Sequence, residues 1–219
     1  MTLLVFDLDD TLFPEREFVL SGFRAVDQWI QQSLGDSAFY PVAAELFEQG
    51  NRGNIFNLAL QATGLEETPE RVQKMIEVYR THSPAISLFQ DAEWALSHFA
   101  GRPLGIITDG YLSVQKRKTQ ALDLASRIGT IIYTDAYGRQ NWKPSAMPYQ
   151  KMMAATKTPG ADCIYVGDNP KKDFITAKAL GWKTIQICRE NAEYAHLIVE
   201  EPAQAHIQIK SLYELETIV

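Results

Sequence analysis

Residues Leu3–Thr11 read Leu-Leu-Val-Phe-Asp-Leu-Asp-Asp-Thr, an apolar run that stops abruptly in acid. Four consecutive bulky apolar residues make a strand buried on both faces, as in a parallel sheet. Asp7, Asp9 and Thr11 then crowd together where that strand ends. In open α/β sheets, ligands bind at the carboxyl ends of strands, so these acids lie where chemistry is done. Carboxylates this close repel one another, and one of them takes up a proton more readily unless a cation sits between them. A hard divalent cation, held by one or two carboxylates with waters and phosphate oxygens completing its shell, relieves that repulsion. The stretch also admits a plainer reading, in which Asp9 and Asp10 only begin a polar turn.

The rest of the composition sets bounds. At 219 residues the chain can bury a full core, as one domain or one domain with a smaller module. Apolar residues make up 46% and charged residues 22%, an ordinary globular balance. The net charge of −6 argues against nonspecific binding to nucleic acid or to anionic membranes. It leaves room for a small anionic substrate, because a metal and a few lysines reverse the field inside one cleft. Cys163 and Cys188 fall in separate strand candidates without a CxxC pair, so both read as reduced core residues. The four histidines lack zinc-ligand spacing. The first strand begins at Leu3, which leaves no room ahead of it for a secretory leader, and no apolar run approaches a membrane span. A cytoplasmic location is the expectation.

Further strand candidates are Leu104–Thr108, Thr130–Tyr133, Cys163–Gly167 and Thr184–Cys188, with His206–Ile209 as a late edge and a short terminal helix over Leu212–Ile218. Strands alternating with helices imply βαβ units and an α/β fold with a doubly wound parallel sheet. The gap between the first two strands is irregular. It spans roughly 90 residues, whereas a simple crossover needs only about a dozen. Phe18, Phe23, Val26, Trp29 and Ile30 recur there at helical spacing, and Val42–Phe47, Ile55–Ala62 and Val72–Tyr79 make three more helices. Pro69 opens the last of these in its first turn. Four short amphipathic helices bury their stripes against each other, so residues 15–85 read as an inserted helical-bundle cap domain. Residues 1–14 and 86–219 then form the α/β core. A cap of this kind would act as a lid, excluding water and selecting substrates. Trp94, Trp142 and Trp182 are expected to pack around the core.

Three more strand ends carry chemistry. The second strand closes on Thr108-Asp109-Gly110, a hydroxyl beside a glycine turn and a helix N-terminus, which suits an anion as well as an ordinary turn. Lys143 precedes Pro144, which restricts it to an extended conformation; its ammonium could bridge an acid and a phosphate oxygen, although a lone lysine is more often solvated. The fourth strand ends Gly167-Asp168-Asn169-Pro170-Lys171-Lys172-Asp173. Asn169 suits an N-cap and Pro170 the first helical position, which puts Asp168 at the strand tip and Asp173 just inside a helix. Together these segments supply a nucleophile, cation ligands, donors for equatorial oxygens and an acid, the set that phosphoryl transfer needs.

In this order the motifs resemble the haloacid dehalogenase superfamily, in its Mg²⁺-dependent phosphatase branch. Asp7-Leu-Asp9-Asp-Thr11 matches the first motif, Thr108 the second, Lys143 the third, and Gly167-Asp168 through Asp173 the fourth. The helical insertion resembles the family's cap. The resemblance implies that Asp7 attacks phosphorus to form an aspartyl-phosphate, and that Asp9 protonates the leaving alcohol and later activates water. It implies that Thr108 and the amide of Asp109 hold the phosphoryl group while Lys143 positions Asp7. Mg²⁺ would be bound by the Asp7 carboxylate, the Asp9 carbonyl and Asp168, with Asp173 acting directly or through water. The partner is then a small phosphorylated metabolite, with a mild preference for a sugar phosphate, and neither nucleic acid nor a membrane. Arg52, in a glycine-flanked loop between two cap helices, is a possible specificity residue, although an exposed loop arginine is the plainer reading. Lys116, Arg117 and Lys118 read as a solvated helix face. A phosphomutase, a metal-independent 2-haloacid dehalogenase and a phosphoacceptor signalling module are the rival readings.

Overall fold

The computed structural model describes residues 1–35, 38–190 and 192–219. It resolves into two compact units: Met1–Glu15 with Ser87–Val219, and Arg16–Ile86.

The first unit is built on a six-stranded sheet of β1 (Leu3–Phe6), β2 (Leu104–Thr108), β3 (Thr130–Tyr133), β4 (Cys163–Gly167), β5 (Lys183–Ile187) and β6 (Ile207–Ile209). The strand order is β3-β2-β1-β4-β5-β6, and every pairing is parallel. The chain therefore winds outward from β1 in one direction, then returns and winds out in the other. That reversal leaves a crevice at the carboxyl ends of β1 and β4, the place where such sheets bind ligands. β1, β2 and β4 are buried along their whole length, which is why apolar residues follow one another in them without polar alternation, unbroken in β1 and joined by small or singly polar residues such as Gly105, Thr108 and Tyr165 in the other two. One core cluster gathers Leu3, Val5, Tyr149, Tyr165, Phe174 and Trp182. Trp94 and Trp142 are only half-buried.

Helices α5 (Gln90–His98), α6 (Leu112–Ala121), α7 (Met147–Thr156) and α8 (Ile175–Ala179) connect the strands. Two details differ from the sequence reading. The helix after β4 does not start at Pro170. Residues Asn169–Asp173 instead close a tight turn, with the amides of Lys172 and Asp173 donating to the Asn169 carbonyl. Asn169 caps that turn through its side chain, and regular helix begins only at Ile175. The terminal segment Leu212–Thr217 is 3-10 rather than α-helical, started by a reciprocal cap between Ser211 and Glu214. The fifth strand ends one residue short of Cys188, which is half-exposed; both cysteines are free thiols.

The second unit holds α2 (Phe39–Glu48), α3 (Ile55–Thr63), α4 (Pro69–Thr81) and all but the first residue of α1 (Glu15–Leu34). Phe23, Val26, Ile30, Phe39, Leu60 and Met75 form its core. The Phe23 ring meets those of Phe39, Phe47 and Phe56 edge-on, the arrangement that aromatic quadrupoles favour. Thr68 caps α4, and Pro69 fills the first position, where no amide donor is needed.

Candidate active site

The site grows from strand tips. Asp7 extends β1 by one residue, its amide donating to the Val166 carbonyl at 2.8 Å, so its carboxylate is fixed to the edge of β4. Asp10 then adopts a left-handed φ of 52° and accepts the Glu15 amide at 2.9 Å, which turns the chain out of the sheet. Asp10 thus shapes the loop, and Asp9 and Asp7 are left to face the crevice.

Lys143 organises the acids. Its ammonium lies 2.7 Å from Asp7 Oδ1 and 2.8 Å from Asp173 Oδ1, and it donates to Tyr165 Oη at 2.8 Å. Three ammonium hydrogens meet three acceptors, so the side chain is fully committed. Burial alone would lower the lysine's proton affinity, but Asp173 and Asp7 overcome it and hold the pKa well above the usual range. Nothing in the sequence marks Tyr165, one aromatic in an apolar strand. Its phenol passes its own hydrogen toward the Ile107 carbonyl at 3.3 Å and ties Lys143 to β2.

Carboxylate oxygens of Asp7, Asp168 and Asp173 all lie within 4.8 Å of one another, and the three residues are buried. Burial raises the Asp7 pKa to about 6, opposed by Lys143 and reinforced by Asp173. Asp168 is pushed well above the usual carboxylate range by burial and then by the charges of Asp7 and Asp173. Three carboxylates exceed what Lys143 and the nearby Lys172 offset, and oxygen-only donors suit a hard divalent cation, so the residues present fit such an ion. Asp173 is engaged on both oxygens, Oδ1 by the ion pair with Lys143 and Oδ2 by the Asn169 amide at 3.0 Å. Gly167 makes room for it: a Cβ there would sit 2.5 Å from Asp173 Oδ2.

Thr108 ends β2, and its neighbour Asp109 turns its carboxylate inward. Asp109 Oδ1 accepts Thr134 Oγ1 at 2.7 Å and the Lys143 amide at 3.1 Å, and Oδ2 lies 3.2 Å from Lys172 Nζ. Burial works against the charged form, but Lys143, Lys172 and these donors outweigh it and lower the pKa. The carboxylate is thus an anchor that fixes the loop between the second and third motifs.

Asp9 has two partners on α6, one read from the sequence as solvated and one that the sequence left unmarked. Lys118 is not on a solvated face. It is buried, with its ammonium 2.6 Å from Asp9 Oδ1 and 3.6 Å from Glu15 Oε1. Gln115, one turn earlier on α6, donates from Nε2 to Asp9 Oδ2 at 2.9 Å and to Thr108 Oγ1 at 2.6 Å. The available signal was the i, i+3 spacing of two hydrogen-bonding residues just after the second motif. In the helical unit, Arg52 is exposed, stacks on Phe47 at 4.1 Å and donates to the carbonyls of Phe47 and Asn51.

A doubly wound parallel sheet with an acid cluster and a buried lysine at its carboxyl edge defines an α/β enzyme of the haloacid dehalogenase type. The chain belongs to that family: the model for haloacid dehalogenase-like hydrolases matches residues 4–187. It is 26% identical to glyceraldehyde 3-phosphate phosphatase of Methanocaldococcus jannaschii, over 99% of this chain and 96% of that protein. It is 24% identical to phosphoserine phosphatase of Thermus thermophilus, over 86% of this chain and 89% of that protein. The fold also matches the solved structure of a 2-haloacid dehalogenase from Pseudomonas syringae pv. Tomato, with a TM-score of 0.68 and 20% identity, covering 100% of this chain and 97% of that one. The protein is a hydrolase of this family. Among the described residues no helix is long and apolar enough to cross a membrane.

Proposed function

We propose that this protein is a Mg²⁺-dependent phosphatase that hydrolyses a small phosphomonoester through an aspartyl-phosphate on Asp7. The observation that carries the reading is the convergence of Lys143 with the buried Asp7, Asp168 and Asp173 at one strand edge. The names of the curated relatives, phosphatases of small metabolites, support the same substrate class.

In this mechanism an Asp7 oxygen bonds to phosphorus as the bond to the leaving oxygen breaks, and Asp9 delivers a proton to that oxygen. Asp9 then takes a proton from water, whose oxygen attacks phosphorus and releases Asp7 and phosphate. Thr108 Oγ1 and the Asp109 amide donate to the phosphoryl oxygens, and Lys143 keeps Asp7 ionised and aimed. Asp7, Asp168 and the Asp9 carbonyl would hold Mg²⁺, with Asp173 acting directly or through water. The ion supplies charge compensation between an anionic nucleophile and an anionic substrate. The helical unit is proposed as the cap that selects the substrate, with Arg52 the candidate residue in its α2–α3 loop.

The test is phosphate release by the purified protein, with Mg²⁺ or with chelator, across sugar phosphates, three-carbon phosphates, phosphoserine and pyrophosphate. Mg²⁺-dependent release that is lost in Asp7→Asn supports the proposal. Release that survives Asp7→Asn, or halide release from a 2-haloacid without metal, contradicts it.

A further inference from the structure

We propose that Gln115 and Lys118 are positioning residues that together preset the acid/base Asp9 and the phosphate-binding hydroxyl of Thr108. The inference rests on the roles given to those two residues above. Both side chains come from one turn of α6 and are almost entirely buried. Burying an ammonium and an amide is costly unless each is satisfied, and an apolar pair would fill the same space more cheaply. Their polar atoms meet the reacting groups instead, with Glu15 a further, longer partner of Lys118.

The division of labour is specific. Lys118 takes Asp9 Oδ1 and Gln115 takes Oδ2, so the carboxylate is clamped by one donor on each oxygen. A carboxylate held at both oxygens has little torsional freedom, and acid catalysis depends on that alignment. The second amide hydrogen of Gln115 goes to Thr108 Oγ1. An amide nitrogen donates only, so Thr108 is the acceptor in that bond and its own hydrogen is turned elsewhere. In the structure the hydroxyl donates to the Asp109 carbonyl across a long 3.4 Å between the two oxygens. Such a contact is weak enough for an incoming phosphoryl oxygen to replace. One glutamine thereby couples the geometry of the proton donor to that of the phosphate donor. Gly110 completes the arrangement, because at its φ of 119° a Cβ would be strained and would press on the Gln115 side chain at 3.1 Å.

The decisive experiment compares leaving groups. With Mg²⁺ present, kcat/KM is measured for an alkyl phosphate, phenyl phosphate and p-nitrophenyl phosphate in the wild type, Lys118→Met, Gln115→Leu and Asp9→Asn. A good leaving group departs without a proton, so loss of acid positioning is felt least with p-nitrophenyl phosphate. Lys118→Met is expected to lose about 100-fold on the alkyl phosphate and less than about fivefold on p-nitrophenyl phosphate. Gln115→Leu should follow the same slope and also weaken inhibition by inorganic phosphate about tenfold, the mark of a misdirected Thr108. Because Gln115→Leu keeps the Lys118–Asp9 ion pair, it carries the test should Lys118→Met fail to fold. A loss equal across leaving groups, or no loss, in the variants that fold overturns the inference. Asp9→Asn separates the levels. If it shows the steep slope while the other variants are flat, only the positioning role falls; if it is flat too, the assignment of Asp9 falls with it.

Discussion

Lys143 Nζ lies 2.7 Å from Asp7 Oδ1, with the lysine side chain 0% and the aspartate side chain 5% exposed. The same ammonium holds Asp173. A buried pair is costly to break from one side, because the remaining charge has neither water nor partner. Lys143→Met is therefore expected to destabilise the fold by about 3 kcal/mol in urea unfolding and to abolish phosphate release. Lys143→Arg should not restore activity, since a planar fork does not fit three acceptors converging on one point.

The raised acids predict how stability follows pH. The Asp7 pKa is raised from 3.8 to about 6 on folding, so the metal-free folded state holds its proton more tightly than the unfolded chain. Its contribution is present below pH 4 and is lost as pH rises toward 6. Asp168 shifts in the same direction and extends the loss to higher pH. Mg²⁺ competes with those protons, so it should raise the thermal midpoint by several degrees more at pH 7.5 than at pH 5. Differential scanning calorimetry with and without the ion checks this, and an equal rise at both pH values would contradict it.

Removing one of the repelling acids has effects of opposite sign. Asp168→Asn relieves charge in the metal-free protein, which should melt higher than the wild type at pH 7.5. The same change removes a cation donor, so half-saturation by Mg²⁺ in the activity assay should rise at least about tenfold. A variant that is less stable without metal but binds Mg²⁺ normally would separate Asp168 from the metal site.

Gly110→Ala is expected to cost about 1–2 kcal/mol from its left-handed backbone alone. The added Cβ would also approach the Gln115 side chain at 3.1 Å. Activity should fall further than stability accounts for, as seen by comparing kcat with the thermal midpoint.

The sheet was legible because β1, β2 and β4 are fully buried strands, and full burial writes itself as a run of apolar residues. Asp7 and Asp168 stood out because each directly follows a buried strand, where an acid interrupts an apolar run; Lys143 lies well beyond β3, and the proline after it set it apart. Lys118 was misread because a lysine on a short polar helix usually faces water, and only the placement of α6 against the first loop buries it. Tyr165 and Gln115 were hidden for a related reason: their function lies in one polar atom whose partners are far away in sequence. Asp173 was placed in a helix by a good capping pattern, but its own carboxylate folds back to the Asn169 amide and holds the segment as a turn.

The central claim is that Asp7 carries the phosphoryl group, and trapping it there tests this most directly. Protein mixed with Mg²⁺ and its best phosphomonoester, then quenched in acid during turnover, would be digested and the peptides weighed. The expected result is one phosphoryl group on the peptide containing Asp7, released by hydroxylamine and absent from Asp7→Asn. Phosphate turnover with no modified peptide, or with the group on another residue, would contradict it.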